Sequence, residues 1–258
     1  MSIEFDLDSE GVATIVINRP ERLNAMDKAA YSDLSDAWTR VRDDKNVRVA
    51  IVTGAGDKSF TVGADIKSFL QAEEEPADFW MTQQDQLLNR GLEVWKPVIA
   101  AVNGYCLGGG MTLLFATDLR VASEHATFGL TEVKRGIFAG NGGTQRVMEN
   151  LPKAVAMDLL LTGDPITATE AERWGLVNKV VTADKLMEEA HDYASRIAKN
   201  APLAVQVSKE LALRSRDMDL ATGLRMEQAM TKVLKTTWDA KEGPDAFAER
   251  RPPAFRGE

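Results

Sequence analysis

Between residues 97 and 117 the chain changes its hydrophobic period twice within a short span. Residues 97–102 (PVIAAV) form an apolar run with β-branched members, too short for a helix and suited to a buried strand. Asn103-Gly104 turns it, Gly108-Gly109-Gly110 follows, and residues 111–117 read as an apolar helix. Three glycines at the entry of a helix are costly in backbone entropy. They permit a ligand to approach N–H groups that the helix start leaves unpaired and electropositive. A developing oxyanion needs that geometry, whereas a plain tight turn is the simpler use of it. A strand feeding a glycine turn and a helix is a unit of an α/β fold, and the rest of the chain repeats the alternation.

Residues 3–7 and 12–18 are apolar around Ser9-Glu10-Gly11 and predict a hairpin that ends at Asn18-Arg19-Pro20. After Asp27, a natural N-cap, Tyr31, Leu34, Trp38 and Val41 recur at helical spacing. Residues 47–53 predict a strand, and 60–69 (FTVGADIKSF) a second glycine turn behind an apolar start. The acidic stretch 71–78 reads as a loop before a helix around 79–94. Further on, helices are expected over 152–161, 167–174, 185–199 and 202–214, and a strand over 177–181. Past Asn200-Ala201-Pro202 the periodicity is helical throughout, with a helix and then an extended end over 242–258. The expected organisation is an α/β core over 1–200 and a helical region over 201–258.

Composition narrows the function. With 258 residues, 44% of them hydrophobic, the chain can bury a large core. The single cysteine, Cys106, excludes an intramolecular disulfide. His125 and His191 leave few ligands for zinc, and no Asp/Glu cluster suggests another metal, so none is expected. A net charge of −8 argues against nucleic-acid binding. The acidic start lacks the blocks of a signal peptide, and no apolar run reaches membrane-spanning length. A soluble, cytoplasmic protein is the expectation. Residues 54–59 miss the glycine that a P-loop places before Lys58, and Gly108 and Gly110 are followed by Leu113 where a dinucleotide fingerprint needs glycine. Cys106 and His125 read as structural.

Two glycine turns, VGAD at 62–65 and LGGG at 107–110, can each offer one amide, that of Ala64 and that of Gly109. Two backbone donors can grip a thioester carbonyl oxygen and tighten as it becomes an enolate. With NRPERLNAM, TGAGDKSFTVGADIK, KPVIAAVNGYCLGGG, ATFGLTEVKRGIFAGNGGTQR, LLLTGDPITATEAERWGLVNKVV and EGPDAFAERRPPAFRGE, the chain resembles the enoyl-CoA hydratase/isomerase (crotonase) superfamily over nearly its full length. The resemblance implies a crotonase-like spiral of ββα units with a C-terminal helical trimerisation region, assembled as a homotrimer or dimer of trimers. It implies an acyl-CoA thioester substrate and no cofactor beyond the coenzyme A that the substrate carries. It pairs the Ala64 and Gly109 amides as an oxyanion hole, with Gly108 beside them. It places Arg22, Ala25, Val62, Asp65 and Ile66 along the coenzyme A groove. Arg22 suits a phosphate, and Lys67 is a weaker candidate.

Two-glutamate members of that family carry one glutamate just after the glycine turn and another ending FGxxE. Here the second is Glu132, in Phe128-Gly129-Leu130-Thr131-Glu132, and the first is Thr112. The spacing between the two positions is the expected one, and Glu124 and Glu149 match neither. The Thr112 hydroxyl could orient water but cannot act as a base at neutral pH. Glu132 is then the expected proton carrier, in hydration or in Δ3-to-Δ2 isomerisation of an enoyl-CoA. An apolar pocket raising its pKa would suit it to that work. One alternative is a hydroxycinnamoyl-CoA hydratase-lyase, although Phe69 stands where that type needs a tyrosine. Others are a non-catalytic acyl-CoA-binding protein and an RNA-binding member, the last disfavoured by charge. The acyl pocket is expected to involve residues 69–92 and a neighbouring copy's C-terminal segment.

Overall fold

In the computed structural model, which describes residues 2–69 and 87–258, the first two apolar runs pair as an antiparallel hairpin, β1 (Ile3–Leu7) with β2 (Val12–Ile17). The helix α1 (Lys28–Asp43) follows, its N-terminus capped by the Asp27 carboxylate, which accepts from the Ala30 N–H. From there one unit recurs. A buried strand joins a six-stranded sheet, a sharp corner follows, and a three-residue strand joins a four-stranded sheet before a helical turn. The first unit is β3 (Val49–Gly54), β4 (Ser59–Thr61) and α2 (Ile66–Phe69). The second is β5 (Val98–Val102), β6 (Tyr105–Leu107) and α3 (Gly109–Phe115). In the third, β7 (Leu119–Ser123) and β8 (Thr127–Gly129) lead into a 3-10 turn, Glu132–Arg135. Next come α4 (Gly143–Asn150), α5 (Lys153–Thr162), the short strand β9 (Ile166–Thr167), α6 (Ala168–Arg173) and the strand β10 (Lys179–Val181). The helices α7 (Leu186–Ala198), α8 (Pro202–Arg214), α9 (Leu220–Leu234) and α10 (Asp239–Glu249) complete the chain.

The larger sheet runs β1-β2-β3-β5-β7-β10 and the smaller β4-β6-β8-β9. Apart from β1–β2 and β8–β9, the neighbours are parallel. Parallel strands are covered on both faces, which is why β3 and β5 read as unbroken apolar runs. The period of two decides what covers them. Val49, Ile51, Ile99, Ala101 and Val121 meet Leu186, Ala190, Ala194 and Ala198 of α7. Ala50, Val52, Val98, Ala100 and Val102 belong to the main core with Leu34, Trp38, Phe60 and Phe128.

The corners between paired strands are held by side chains on carbonyls. Asn103 donates to the carbonyls of Gly54 (2.8 Å) and Gly56 (2.7 Å). A Cβ on Gly104 would lie 2.1 Å from the Lys58 carbonyl oxygen, so only glycine fits there. The His125 ring lies 2.9 and 3.1 Å from the carbonyls of Asp57 and Asn103. Cys106 is buried, and burial pushes its thiol pKa up. Cys106 thus packs in the core, and His125 braces the corner between β3 and β4 and that between β5 and β6.

Some elements differ from expectation. The three-residue strands β4, β6 and β8 are too short to show a period, and the eight-residue helix α4, which follows a glycine-rich loop, is not among the expected helices. Of the helix expected at 79–94, the described part is one 3-10 turn, Leu88–Arg90, ended by Gly91 at φ 97°. The acidic stretch 71–78 lies outside the described residues. The helix expected from Met111 begins two residues earlier, inside the glycine run. Among the described residues no helix is long and apolar enough to cross a membrane, and no cluster of His, Cys, Asp and Glu could hold a metal ion.

Candidate active site

The second and third units bring Glu132 to the glycine turn. The parallel pairing of β6 with β8 ends with the Gly108 N–H donating to the Gly129 carbonyl (2.9 Å), three residues before Glu132. A Cβ placed on Gly108, whose φ is +54°, would sit 3.4 Å from Glu132 Oε1. Glycine at 108 therefore keeps the space in front of the carboxyl clear. Glu132 is half-buried, and its Oε2 is buried with no hydrogen-bond partner among the described residues. Burial raises its pKa above the ordinary carboxylate value, against the smaller opposing pulls of its own backbone N–H and of Arg135.

The first unit supplies the other half. Met26 pairs with the turn after β4, donating to the Gly63 carbonyl (2.8 Å) and accepting from the Asp65 N–H (2.8 Å). In such a parallel bridge the intervening Ala64 amide is turned away from Met26. The two turns then meet backbone to backbone, for a Cβ on Gly63 would lie 2.5 Å from the Gly109 nitrogen. The Ala64 nitrogen is 3.6 Å from the corresponding Cβ position on Gly109. Gly109 opens α3, so its N–H has no acceptor within the helix. Among the described residues neither amide donates a hydrogen bond. The two turns that the sequence left unpaired are thus adjacent, with Glu132 at Gly108.

The other expected residues sort as follows. Ala25 is buried beside Met26, Val62 and Asp65 flank the Gly63 turn, and Ile66 is 49% exposed at the start of α2. Asp65 Oδ1 accepts from the Lys67 N–H (3.2 Å). Arg22 ends the 3-10 turn Pro20–Arg22 with an exposed side chain. Lys67 is also exposed, and the side chain of Phe69 lies outside the described residues. Arg19 fixes this loop by bonding the Ala25 carbonyl (2.6 Å) and pairing with Asp27 (2.9 Å).

Thr112 is 2% exposed, and its hydroxyl donates to the Gly109 carbonyl (3.0 Å) and accepts from Asn89 Nδ2 (2.8 Å). A hydroxyl carries one proton, and this one is committed. That proton is therefore not free for a water, and Oγ1 keeps one lone pair that can still accept from one. Asn89 was invisible in the sequence, since nothing local marks an asparagine that acts across the fold.

The chain matches the family model described as enoyl-CoA hydratase/isomerase over residues 8–258. It is 47% identical to the (E)-benzylidenesuccinyl-CoA hydratase of Thauera aromatica over 249 residues, 96% of this chain and 97% of that one. It is 40% identical to the carnitinyl-CoA dehydratase of Salmonella arizonae, with both chains covered in full. Among solved structures, an enoyl-CoA hydratase from Bacillus anthracis superposes with a TM-score of 0.92 at 38% identity, each chain covered completely. The crotonase fold, and an enzyme of this type, are what the two sheets and the glycine turns build: the chain belongs to the enoyl-CoA hydratase/isomerase family.

Proposed function

We propose that the protein reversibly adds water across the C2–C3 double bond of a 2-enoyl-CoA thioester, with Glu132 as its proton carrier. The observation that carries this reading is the half-buried Glu132 carboxyl beside two adjacent amides, one of its oxygens and both amides having no hydrogen-bond partner among the described residues. The Ala64 and Gly109 amides hold the thioester oxygen. As water attacks C3, Glu132 takes one of its protons and the electron pair moves to that oxygen, giving an enolate. The amides hold the enolate more tightly than the ground state. Glu132 then passes the proton to C2, which leaves a 3-hydroxyacyl thioester. One carboxylate that takes and returns the same proton delivers it to the face from which water attacked. No step draws on a further cofactor.

The names of the relatives, a hydratase and a dehydratase acting on substituted acyl-CoA thioesters, support hydration over isomerisation. The committed Thr112 hydroxyl favours a second reading, in which Glu132 moves a proton from C2 to C4 of a 3-enoyl-CoA. Incubation with 2-enoyl- and 3-enoyl-CoA panels, benzylidenesuccinyl-CoA included, decides between them. Loss of the conjugated-thioester absorbance indicates hydration, and its appearance indicates isomerisation. Turnover by Glu132→Gln equal to wild type would sink both. Arg22 is proposed to meet a phosphate of coenzyme A, with Ala25, Val62, Asp65 and Ile66 along the groove. The region 201–258 is proposed to join copies into a trimer or dimer of trimers.

A further inference from the structure

Glycine has no conformational preference strong enough to aim an amide. The Gly108 and Gly109 peptides must therefore be oriented by hydrogen bonds: those of Gly108 reach Gly129, Met111 and Thr112, and the Gly109 carbonyl meets the Thr112 side chain. The Gly109 N–H and the Gly108 carbonyl belong to one planar peptide unit. That carbonyl accepts from the Met111 N–H (2.9 Å) and the Thr112 N–H (3.2 Å). The next peptide unit, beginning at the Gly109 carbonyl, accepts from the Thr112 hydroxyl (3.0 Å). Thr112 thus bonds both planes that flank the Gly109 Cα, sharing the first with Met111 through its backbone and reaching the second through its side chain.

A threonine in a first helical turn can rotate its hydroxyl between nearby carbonyls. Asn89 removes that freedom. Its Nδ2 donates to Thr112 Oγ1 (2.8 Å), so the hydroxyl must give its proton elsewhere, and Gly109 is where it goes. Asn89 is 8% exposed and Thr112 2%, so the chain Asn89–Thr112–Gly109 lies in a low-dielectric interior where successive bonds polarise one another. Asn89 is itself held, since its carbonyl accepts from Arg146 (3.0 Å), which also bonds the Asn141 carbonyl (2.9 Å) in the loop that follows Glu132.

We propose that Asn89 is a positioning residue of the active site: acting through Thr112, it fixes the orientation of the Gly109 amide toward the thioester oxygen. This rests on the reading of that amide as an oxyanion donor. A grip that tightens as charge develops shows in kcat rather than KM. Asn89→Ala and the volume-conserving Thr112→Val are each expected to lower kcat about tenfold, less than complete loss of an oxyanion donor, with KM nearly unchanged. Thr112→Ser, which keeps the hydroxyl, retains activity. The double variant is no worse than either single one, because the two residues act as a unit.

The deciding measurement needs no turnover. Crotonyl-CoA labelled with carbon-13 at the thioester carbonyl is bound to Glu132→Gln, with and without Asn89→Ala, and the carbonyl stretch is read by infrared difference spectroscopy. A smaller shift to low frequency without Asn89 is the expected result. A purely structural role would lower Tm and leave the stretch and kcat alone, and an unchanged stretch on the bound thioester would overturn the positioning role by itself. Absence of any thioester binding by the wild type would sink the reading of the site, and the proposal with it.

Discussion

At the scale of single residues, Glu132 sets function against stability. Its folded pKa is raised by burial, so the native state binds that proton more tightly than the unfolded chain does. The unfolded chain then ionises first as pH rises, and the native state loses stability as pH climbs from the ordinary carboxylate value through the raised one. Glu132→Gln is accordingly expected to raise Tm near neutral pH, with a gain that shrinks as pH falls below the ordinary value; a Tm series over pH checks it. The same substitution is expected to lower kcat by about 10²–10⁴-fold, the usual share of a general acid–base. In wild type, kcat/KM falls on the acid side with an apparent pKa above that of a free glutamate. A Glu132→Gln variant less stable than wild type at neutral pH would show that the carboxylate is stabilised in a way its unpartnered Oε2 does not suggest.

At the scale of elements, α3 joins the site to the core. Its N-terminus faces the Gly63 turn, and its C-terminal end is held by Arg120, whose guanidinium bonds the carbonyls of Thr117 (3.1 Å) and Leu176 (3.1 Å) and Asn150 Oδ1 (2.8 Å). Burial pulls the Arg120 pKa down to about 10, yet the group stays charged at neutral pH and suits the negative end of the helix. Arg120→Met keeps the length and removes the donors, and is expected to cost about 2–3 kcal/mol in denaturant unfolding, in the range for bonds to a charged group. Gly63→Ala is expected to be worse for activity than for stability. Gly63 has φ +85° and its added Cβ would meet the Gly109 nitrogen at 2.5 Å, so the two turns must part. A kcat within twofold of wild type would show that their contact is dispensable. The elements legible in the sequence were those with several turns or a full buried run, such as α1, α8 and β5. The three-residue β4, β6 and β8 were not, because so short a strand exists only through its partners. The same holds for the site. Glu132, Ala64 and Gly109 could be picked out from motifs, whereas Asn89 and the commitment of the Thr112 hydroxyl depend on contacts between distant segments.

At the scale of the whole molecule, the C-terminal helices leave apolar side chains exposed. Neither α8 nor α9 has a fully buried residue, although α9 is nearly as amphipathic as the core helix α1. Leu220 is 78% exposed, Leu224 48% and Val233 62%, and a cleft of about 790 Å³ beside α8 is lined by Trp95, Phe115 and Leu213. Apolar surface of this kind, concentrated on two adjacent helices, is what an interface between copies would cover. Each leucine or valine fully buried there would contribute about 1.5–3 kcal/mol, and every 1.4 kcal/mol changes an association constant tenfold. Leu224→Glu together with Val233→Glu replaces that gain with two charges that must be desolvated. In sedimentation velocity at micromolar concentration the wild type is expected to run as a trimer or a multiple of it, and the double variant as a smaller species. The α/β core, whose two clusters do not include α9, should stay folded, so far-UV circular dichroism keeps its signal while the sedimentation coefficient falls. A wild type that sediments as a monomer would mean that these helices are closed by something other than another copy.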